Sequence, residues 1–314
     1  MGMIVGLDVL GGDFAPEANV LGAIAAKEEL GEKADICLIG DENAIQEIFQ
    51  REGKSLDGFR IVHTTESIEM GEHPAKAFLK KPNSSIALGY KLLQEGEIQA
   101  FSSTGNSGAM LVGAMYTIRT IPGVIRPCIT TAIPILNGGM SILLDVGINS
   151  DVKPDVLYQF GILGSILAEQ IYNIDNPKVG LINIGEEEEK GNMLTQAAFQ
   201  QMKDSKEMNF IGNVEGRDLF NGKADVIVCD GFTGNVILKQ AEALYTLIRQ
   251  RNIQDEYFER FNYEIYGGTP VLGVNGNVII GHGISNAKAV KNMIKLSVDT
   301  AEADLCARIK KVFK

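Results

Sequence analysis

The sequence contains no tryptophan, and aromatic residues make up only 7% of its 314 positions. A core built from these residues must be mostly aliphatic, and a hydrophobic content of 45% is enough for a globular protein. No stretch reaches the roughly 20 uninterrupted apolar residues of a membrane span. The N-terminal residues also lack the basic start and apolar stretch of a signal peptide, so we expect a cytoplasmic protein.

Cysteine and histidine are scarce. The four cysteines are widely spaced, form no CxxC pair and are accompanied by only three histidines. We interpret the cysteines as buried free thiols, because cysteine behaves as a small hydrophobic residue. The spacing of these residues matches no metal site and favours no Cys–His catalytic pair, so we expect no metal.

Positive charge is in deficit, with 29 Lys and Arg against 40 Asp and Glu and a formal net charge of −11. This balance argues against nucleic-acid binding. It would also repel an anionic substrate at long range. A phosphate or an acidic partner must therefore be held by local features such as backbone N–H groups, helix N-termini or a small Lys/Arg patch.

Two nucleotide-binding motifs are missing. No GxxxxGK[ST] sequence is present, which disfavours ATP binding through a P-loop. No GxGxxG follows the first predicted strand, because Leu10-Gly11-Gly12-Asp13 leads to Pro16 instead. A dehydrogenase would therefore need another way to bind its cofactor.

Short apolar runs alternate with helical segments, which predicts βα units and a mostly parallel sheet. The predicted strands cover 3–9, 35–39, 59–63, 98–102, 128–135, 140–145, 178–184, 225–229 and 277–281. The predicted helices cover 17–30, 41–51, 83–94, 106–119, 154–171, 190–204, 233–250 and 286–311. Seams are predicted at Gly123–Pro127 and around 250–275.

Five of the apolar runs end in glycine or a polar residue and then turn into a helix. They are GLDVLGGD (6–13), AFSSTGNSG (100–108), LLDVGIN (143–149), LINIGEEEEKGN (181–192) and VIVCDGFTGN (226–235). In an open parallel sheet, ligands bind at the carboxyl ends of the strands. Glycine lets the backbone approach a ligand, and a helix start supplies unpaired N–H groups. We therefore predict that these loops form a shared site.

Longer segments, in a fixed order, carry a resemblance that spans nearly the whole chain. They are LDVLGGDFAP (7–16), SSTGNSGA (102–109), RPCITTAIP (126–134), LLDVGINSDVKP (143–154), NPKVGLINIGEEEEKGN (176–192), GKADVIVCDGFTGNVILK (222–239) and YGGTPVLGVNGNVIIGHGISNAKAV (266–290). Together they resemble the bacterial phosphate acyltransferases of phospholipid synthesis. The sequence departs from that family at Leu79, where the pattern has Arg, and at 248–265, where members often carry a longer hairpin linked to membrane association.

The resemblance implies a Rossmann-like three-layer αβα fold with a mostly parallel sheet, similar to the phosphotransacetylase and isopropylmalate dehydrogenase-like folds. It implies one phosphate acyltransferase domain over 1–314, a homodimer and no metal or redox cofactor. The implied reaction moves a fatty acyl group reversibly from acyl carrier protein to inorganic phosphate. The acyl phosphate would pass to a membrane-bound glycerol-3-phosphate acyltransferase. Because 248–265 is short and acidic, we expect any membrane association to run through that partner.

Such a reaction needs positioned anions and a stabilised oxyanion more than a strong base. The candidate catalytic donors are His282, Asn235 and Asn106. The candidate phosphate-binding residues, drawn from all five loops, are Gly11, Gly12, Asp13, Ser103, Thr104, Gly105, Ser107, Asn149, Asn183, Lys190, Asp230 and Thr233. We expect Asp8 and Asp13 to fix the geometry of the first loop.

Two basic clusters are candidates for docking an acidic carrier protein. The first consists of Lys76, Lys80 and Lys81. The second consists of Arg308, Lys310, Lys311 and Lys314, whose simpler interpretation is a helix C-terminus.

Three other functions remain open. A phosphotransacetylase-type enzyme using coenzyme A thioesters shares the chemistry. An NAD-linked dehydrogenase of a related fold would need an Asp cluster for a metal and a Tyr/Lys pair, and neither is found in the sequence. A non-catalytic carrier-protein or lipid-binding module would leave the donor-rich loops without a purpose.

Overall fold

A computed structural model describes residues 2–313 of the chain. Its strands, in chain order, are β1 (Met3–Asp8), β2 (Ala34–Gly40), β3 (Phe59–His63), β4 (Ala100–Ser103), β5 (Cys128–Pro134), β6 (Met140–Leu144), β7 (Lys178–Asn183), β8 (Asn209–Glu215), β9 (Val226–Val228), β10 (Thr269–Leu272) and β11 (Asn277–Ile280). Its α-helices are α1 (Glu17–Leu30), α2 (Glu42–Arg51), α3 (Pro74–Lys80), α4 (Ser85–Gln94), α5 (Ser107–Gly113), α6 (Pro154–Tyr172), α7 (Met193–Met202), α8 (Gly231–Gln250), α9 (Glu256–Glu259), α10 (Tyr263–Tyr266), α11 (Ala287–Glu302) and α12 (Leu305–Val312).

All nine predicted strands are present, while β8, β10, α3, α9 and α10 were not predicted. The helix predicted over 286–311 is interrupted, because Asp304 has a left-handed φ of 49° between α11 and α12. The helix predicted over 106–119 changes to a π-helix at Ala114 and ends before Arg119, where φ is 64°.

The acidic run Glu186–Glu189 lies outside any helix, and the helix predicted over 190–204 begins three residues late. These residues form a turn, and α7 begins only at Met193. Gly191 has a φ of 94°, which α-helical backbone does not adopt, and Asn192 then caps the helix by accepting from the N–H of Thr195.

The chain divides into two compact units. Unit 1 comprises the residues up to Thr120 together with Tyr263–Cys306, and unit 2 comprises Ile121–Asn262 and the residues from Ala307 onwards. The boundary after Thr120 lies beside the predicted seam at Gly123–Pro127 and the one after Asn262 lies within 250–275, while the boundary after Cys306 was not predicted. The prediction of a single phosphate acyltransferase domain over 1–314 concerns a function that both units would share, and it stays a prediction.

The sheet of unit 1 has the strand order β3-β2-β1-β4-β11-β10, with only β10 antiparallel to its neighbour β11. The inner strands β1, β2, β4 and β11 are buried over most of their length, as sheets covered by helices on both faces require. Helices α1 and α11 pack closely, and a Cβ on Gly22 would lie 2.6 Å from the Cβ of Val290. The carboxyl ends of β1, β4 and β11 consequently lie at one edge, beside each other.

Unit 2 has the strand order β5-β6-β9-β7-β8, in which only β5 is antiparallel to its neighbour β6. Most of α6 is buried against this sheet. A Cβ on Gly164 would lie 2.5 Å from Val226 and 3.0 Å from Leu144, so the helix approaches two strands directly. The α/β class with a mostly parallel sheet, predicted from sequence, is confirmed in both units.

The short segment after α8 packs within its own unit. Tyr257 and Phe261 stack edge to face at 5.4 Å, Phe261 also contacts Phe220, and the Tyr257 hydroxyl donates to the carbonyl of Pro134. Tyr257 and Phe261 are therefore packing residues of unit 2. Among residues 2–313, no helix combines the length and apolar character needed to cross a membrane.

Gly89 of α4 tests the packing of unit 1. A Cβ at this position would lie 2.1 Å from the ring of Phe101, which is fully buried. We expect Gly89→Ala to lower the free energy of unfolding by about 1–3 kcal/mol in urea denaturation, because overpacking outweighs the gain in helix propensity. The control Gly71→Ala, where the Cβ would meet nothing within 4 Å, should change it by less than about 0.5 kcal/mol. Equal stability of the two variants would contradict this packing.

Candidate active site

A buried carboxylate joins the first two loops in unit 1. Asp8, at the end of β1, has no exposed surface, and its Oδ2 accepts from the hydroxyl of Ser103 at 2.6 Å. Its Oδ1 accepts from the N–H of Leu10 at 3.0 Å, and Ser103 Oγ in turn accepts from the N–H of Gly105 at 2.9 Å. Burial raises the pKa of Asp8 above its usual range, and hydrogen bonds from Ser103 and Ser85 partly offset this.

The glycine loop that follows β1 is held from two further sides. Asn19, a buried residue of α1, donates to two carbonyls of that loop, one of them that of Gly11 at 2.7 Å. The Thr104 hydroxyl donates to the same Gly11 carbonyl at 2.9 Å. From the loop after β11, the carbonyl of Gly283 accepts from the N–H of Asp13 at 2.7 Å. Asn19 was not predicted, because it lies inside a helical pattern with nothing to mark it.

The loops approach so closely that only glycine fits between them. Gly12 has a φ of 93°, and a Cβ there would lie 2.7 Å from Thr104 Oγ1 and 3.1 Å from the carbonyl of Gly283. A Cβ on Gly11 would lie 2.6 Å from the backbone nitrogen of Gly105. The loops after β1, β4 and β11 thus meet backbone to backbone at the carboxyl edge of the sheet.

Asn106 caps α5 and anchors a neighbouring loop. Its Oδ1 accepts from the N–H of Ala109 at 3.0 Å. Its Nδ2 donates, over 3.0–3.3 Å, to three carbonyls of the segment before α3, those of Glu69, Met70 and Glu72. Among the hydrogen bonds of residues 2–313, none uses the N–H groups of Ser107 and Gly108 in the first turn of α5. The cluster therefore turns its side chains inward and leaves backbone donors at its surface.

His282 belongs to the same cluster. It follows β11, lies half-buried beside Gly283, and its ring is 4.9 Å from that of Tyr263. The adjacent Ser285 is buried, and its hydroxyl has no hydrogen-bond partner within residues 2–313. Ser285 was not singled out in the sequence, although it lies in the GHGISN segment.

A second buried carboxylate organises unit 2. Asp145, directly after β6, has no exposed surface and accepts from the N–H of Asn149 at 2.7 Å, from Asn149 Nδ2 at 2.9 Å and from the N–H of Ile129 at 3.2 Å. Burial raises its pKa as well. Asn149 Nδ2 also donates to the carbonyl of Pro127 at 2.8 Å. Asp145 was missed from the sequence, although it repeats the Leu-Asp-Val that surrounds Asp8.

The start of α8 packs against this loop. Asp230 caps the helix by accepting from both the N–H and the hydroxyl of Thr233, at 2.9 and 2.8 Å. Asn235 Nδ2 donates to the carbonyl of Val146 at 3.2 Å. The predicted donors Thr233 and Asn235 thus make structural contacts inside unit 2.

The loop after β7 is shaped by Asn183 and exposes Lys190. Asn183 accepts from the N–H of Ile184 at 2.9 Å and donates to the carbonyl of Lys190 at 3.1 Å. Two of the loop's acidic residues are neutralised, Glu186 by Lys223 and Glu188 by Lys203. Lys190 forms no ion pair with any residue in 2–313.

The structure groups the predicted residues by unit. Unit 1 brings together Gly11, Gly12, Asp13, Ser103, Thr104, Gly105, Asn106, Ser107 and His282. Unit 2 contains Asn149, Asp230, Thr233 and Asn235 at one place, with Asn183 and Lys190 on a further loop. That all five loops share one ligand stays a prediction.

The predicted docking cluster on α3 is smaller than expected. Lys76 and Lys80 are exposed, but Lys81 is half-buried and donates to Glu72 at 2.6 Å and to the carbonyl of Ser67 at 2.8 Å. Because its charge is neutralised within the fold, Lys81 is removed from this cluster. Of the alternative C-terminal cluster, Lys314 lies outside the described residues.

The fold is similar to that of solved phosphotransacetylases. The chain resembles the solved phosphotransacetylase from Streptococcus pyogenes with a TM-score of 0.65 and 16% sequence identity, covering 96% of this chain and 94% of that one. A likeness at this identity concerns the fold. It confirms the predicted similarity to the phosphotransacetylase fold.

The sequence defines the family. Residues 3–308 match the family described as "Fatty acid synthesis protein". A relative named "Phosphate acyltransferase" from Endomicrobium trichonymphae is 45% identical over 98% of this chain and 97% of its own length, and one from Dictyoglomus turgidum is 41% identical over 98% and 96%. The chain belongs to this family, and the resemblance inferred from its motifs is confirmed.

The buried carboxylate predicts a pH dependence of stability. Because burial raises the folded-state pKa of Asp8 above its usual value of 3.8, the folded protein binds this proton more tightly than the unfolded chain. The stability that Asp8 contributes is fully present below pH 3.8 and declines as the pH rises through the folded-state pKa. The difference in unfolding free energy between wild type and Asp8→Asn, measured by urea denaturation, should therefore fall with rising pH and then level off. Exposed Asp57→Asn provides the baseline, and a pH-independent difference for Asp8→Asn would contradict the assignment.

Proposed function

We propose that this protein transfers a fatty acyl group from acyl carrier protein to inorganic phosphate and releases an acyl phosphate. The observation that carries the proposal is the backbone cluster of unit 1, in a chain whose relatives are named phosphate acyltransferases. Three loops meet there at glycines, beside the free N–H groups of Ser107 and Gly108. Backbone donors at a helix start suit a phosphate in a protein whose net charge is −11.

The proposed reaction is a direct displacement. A phosphate oxygen attacks the thioester carbonyl carbon, a C–O bond forms, and the carbonyl electrons move onto oxygen. The tetrahedral intermediate then collapses, the C–S bond breaks, and the thiolate leaves and takes up a proton. Thioester and mixed anhydride are both activated, so no ATP is consumed. Donors that reach the oxyanion are worth about 2.7–4 kcal/mol each, and His282 or a backbone N–H is the candidate in unit 1.

The burial of the side chains Cys128, Cys229 and Ser103 supports phosphate, rather than a protein group, as the nucleophile. Cys128 and Cys229 are buried, and desolvation holds their thiol pKa values well above the usual range, so little thiolate forms. Ser103 has a carboxylate neighbour, but it is fully buried and bonded to Asp8 and to a backbone N–H. A thioester cannot reach it without opening the loop.

We further propose that the carrier protein docks at α3, through Lys76 and Lys80. The helix lies against the phosphate loop, since a Cβ on Gly108 would be 2.4 Å from Pro74 and one on Gly113 would be 2.9 Å from Phe78. The two lysines are one turn apart, are exposed, and form no ion pair within residues 2–313. An acidic carrier would therefore bind a short distance from the loop.

The proposed assembly is a homodimer that hands its product to a membrane-bound glycerol-3-phosphate acyltransferase. Helix α8 supports the dimer, because only Gly231 and Gly234 of its 20 residues are buried. Four exposed apolar residues fall within about 120° around the helix axis: Phe232, Val236, Leu244 and Leu247. Such a stripe is typical of a protein contact. A monomer at every concentration in sedimentation velocity would contradict the dimer.

The function is tested with purified protein, acyl carrier protein thioester, phosphate and hydroxylamine. We expect acyl hydroxamate and free thiol in equal amounts, and neither when phosphate is omitted. Absence of both with all components present would refute the proposal and leave a non-catalytic binding module. A parallel reaction with acyl-coenzyme A distinguishes the phosphotransacetylase-type alternative, which would use that donor more efficiently.

If the carrier protein docks at Lys76 and Lys80, changing these lysines should impair the reaction only with the acyl donor that carries this protein. The double variant Lys76→Glu and Lys80→Glu should lower kcat/KM for acyl carrier protein about tenfold, because it places like charges opposite an acidic partner. With acyl-pantetheine, which lacks the carrier protein, the rate should change little. The matched control is Lys310→Glu with Lys311→Glu in the C-terminal cluster. If the control variant alone shows the defect, the docking surface lies there instead.

A further inference from the structure

Three large apolar side chains are exposed around the cluster of unit 1. Phe14 is 55% exposed, Met70 is 50% exposed and Ile284 is 55% exposed. They come from three separate loops, after β1, before α3 and after β11. We refer to Phe14, Met70 and Ile284 as the apolar ring.

The members of the apolar ring are brought together at Gly283. A Cβ on Gly283 would lie 2.9 Å from the Met70 methyl group, so the Met70 side chain rests on this backbone. The Gly283 carbonyl accepts from the N–H of Asp13, the residue before Phe14. Ile284 directly follows Gly283, and its own carbonyl accepts from the Tyr263 hydroxyl at 2.9 Å.

The apolar ring is also tied to the proposed phosphate loop. Asn106, which caps α5, donates through Nδ2 to the carbonyl of Met70 at 3.3 Å. On the other side, Gly12 lies close to the side chain of Thr104 and to the carbonyl of Gly283. Polar donors and exposed apolar side chains are thereby fixed next to each other by direct hydrogen bonds.

Single exposed hydrophobic residues are normal on a protein surface, but three from loops that meet at one backbone position beside free donors are not. Polar donors beside exposed apolar side chains suit an amphiphile with an anionic or carbonyl head and an apolar tail. A protein partner would need roughly 800 Å² of surface on each side, far more than three side chains provide. Methionine adds a flexible contact that adapts to a chain of variable conformation.

We propose that the apolar ring holds the first methylene groups of the substrate's acyl chain and so favours fatty acyl groups over acetyl. This inference rests on the proposed function, because it assigns the tail of the same substrate. The thioester carbonyl would lie toward the α5 loop, and the chain would leave across Met70 and Ile284.

Alkylphosphonates test this without turnover, because they join a phosphate-like head to a tail of chosen length. Isothermal titration calorimetry with butyl-, hexyl- and octylphosphonate should show the dissociation constant falling about two- to fourfold per added methylene in the wild-type protein. The double variant Met70→Gln with Ile284→Thr should flatten that dependence on chain length. The control Met115→Gln changes an exposed methionine of the same unit, beyond the end of α5, and should keep the wild-type slope.

The outcomes test the acyl-chain assignment of the apolar ring separately from the proposed acyl transfer. Equal affinity for the three phosphonates, or the same slope in the double variant, overturns the acyl-chain assignment even if hydroxamate is formed. A variant that keeps the slope but changes sedimentation shows that the ring contacts a second copy of the chain instead. A chain-length slope that depends on the ring, in a protein that forms no hydroxamate, upholds the ring and refutes the acyl transfer. Circular dichroism confirms that the variants are folded.

Discussion

A carboxylate buried without a cationic partner is costly unless hydrogen-bond donors surround it. Asp8 accepts hydrogen bonds from the hydroxyl of Ser103 and from the N–H of Leu10, and Ser103 Oγ in turn accepts from the N–H of Gly105. The glycine loop and the α5 loop can therefore adopt only conformations that deliver these donors. Asp145 does the same in unit 2, where Asn149 supplies two of the donors. In each unit, one Leu-Asp-Val segment at a strand end thus fixes the loops around it.

This constraint explains why the site consists of backbone. Once Ser103, Thr104 and Asn106 turn their polar atoms inward, the groups left facing outward are N–H groups at the start of α5. Fixed dipoles need no reorganisation when charge develops on a substrate, which is the condition for electrostatic stabilisation of an oxyanion. They also bind an anion without adding cations to a chain with a net charge of −11. The buried carboxylates at the strand ends therefore determine both the shape of the loops and the backbone donors proposed for the chemistry.

Much of this was predictable from the sequence, because parallel strands buried on both faces are continuous apolar runs that end in loops with distinctive residues. The predictions failed where the pattern is weak. β8 contains Gly212 with a φ of 101° and alternates little, and β10 is a four-residue strand after two glycines. The Glu186–Glu189 run has helical composition, yet Gly191 and Asn192 delay the helix. Which way a polar side chain points is not encoded locally, so the contacts of Thr104 with Gly11 and of Asn106 with the segment before α3 are not predictable from the sequence.

In the proposed reaction phosphate itself attacks the thioester, in a cluster whose side chains are occupied in holding the loops. Intact-protein mass spectrometry after mixing with acyl carrier protein thioester tests this most directly, with and without phosphate. With direct attack by phosphate, we expect an unchanged protein mass in both cases and thiol release only when phosphate is present. A stoichiometric acyl adduct on the protein in the absence of phosphate, chased by later addition of phosphate, would contradict it.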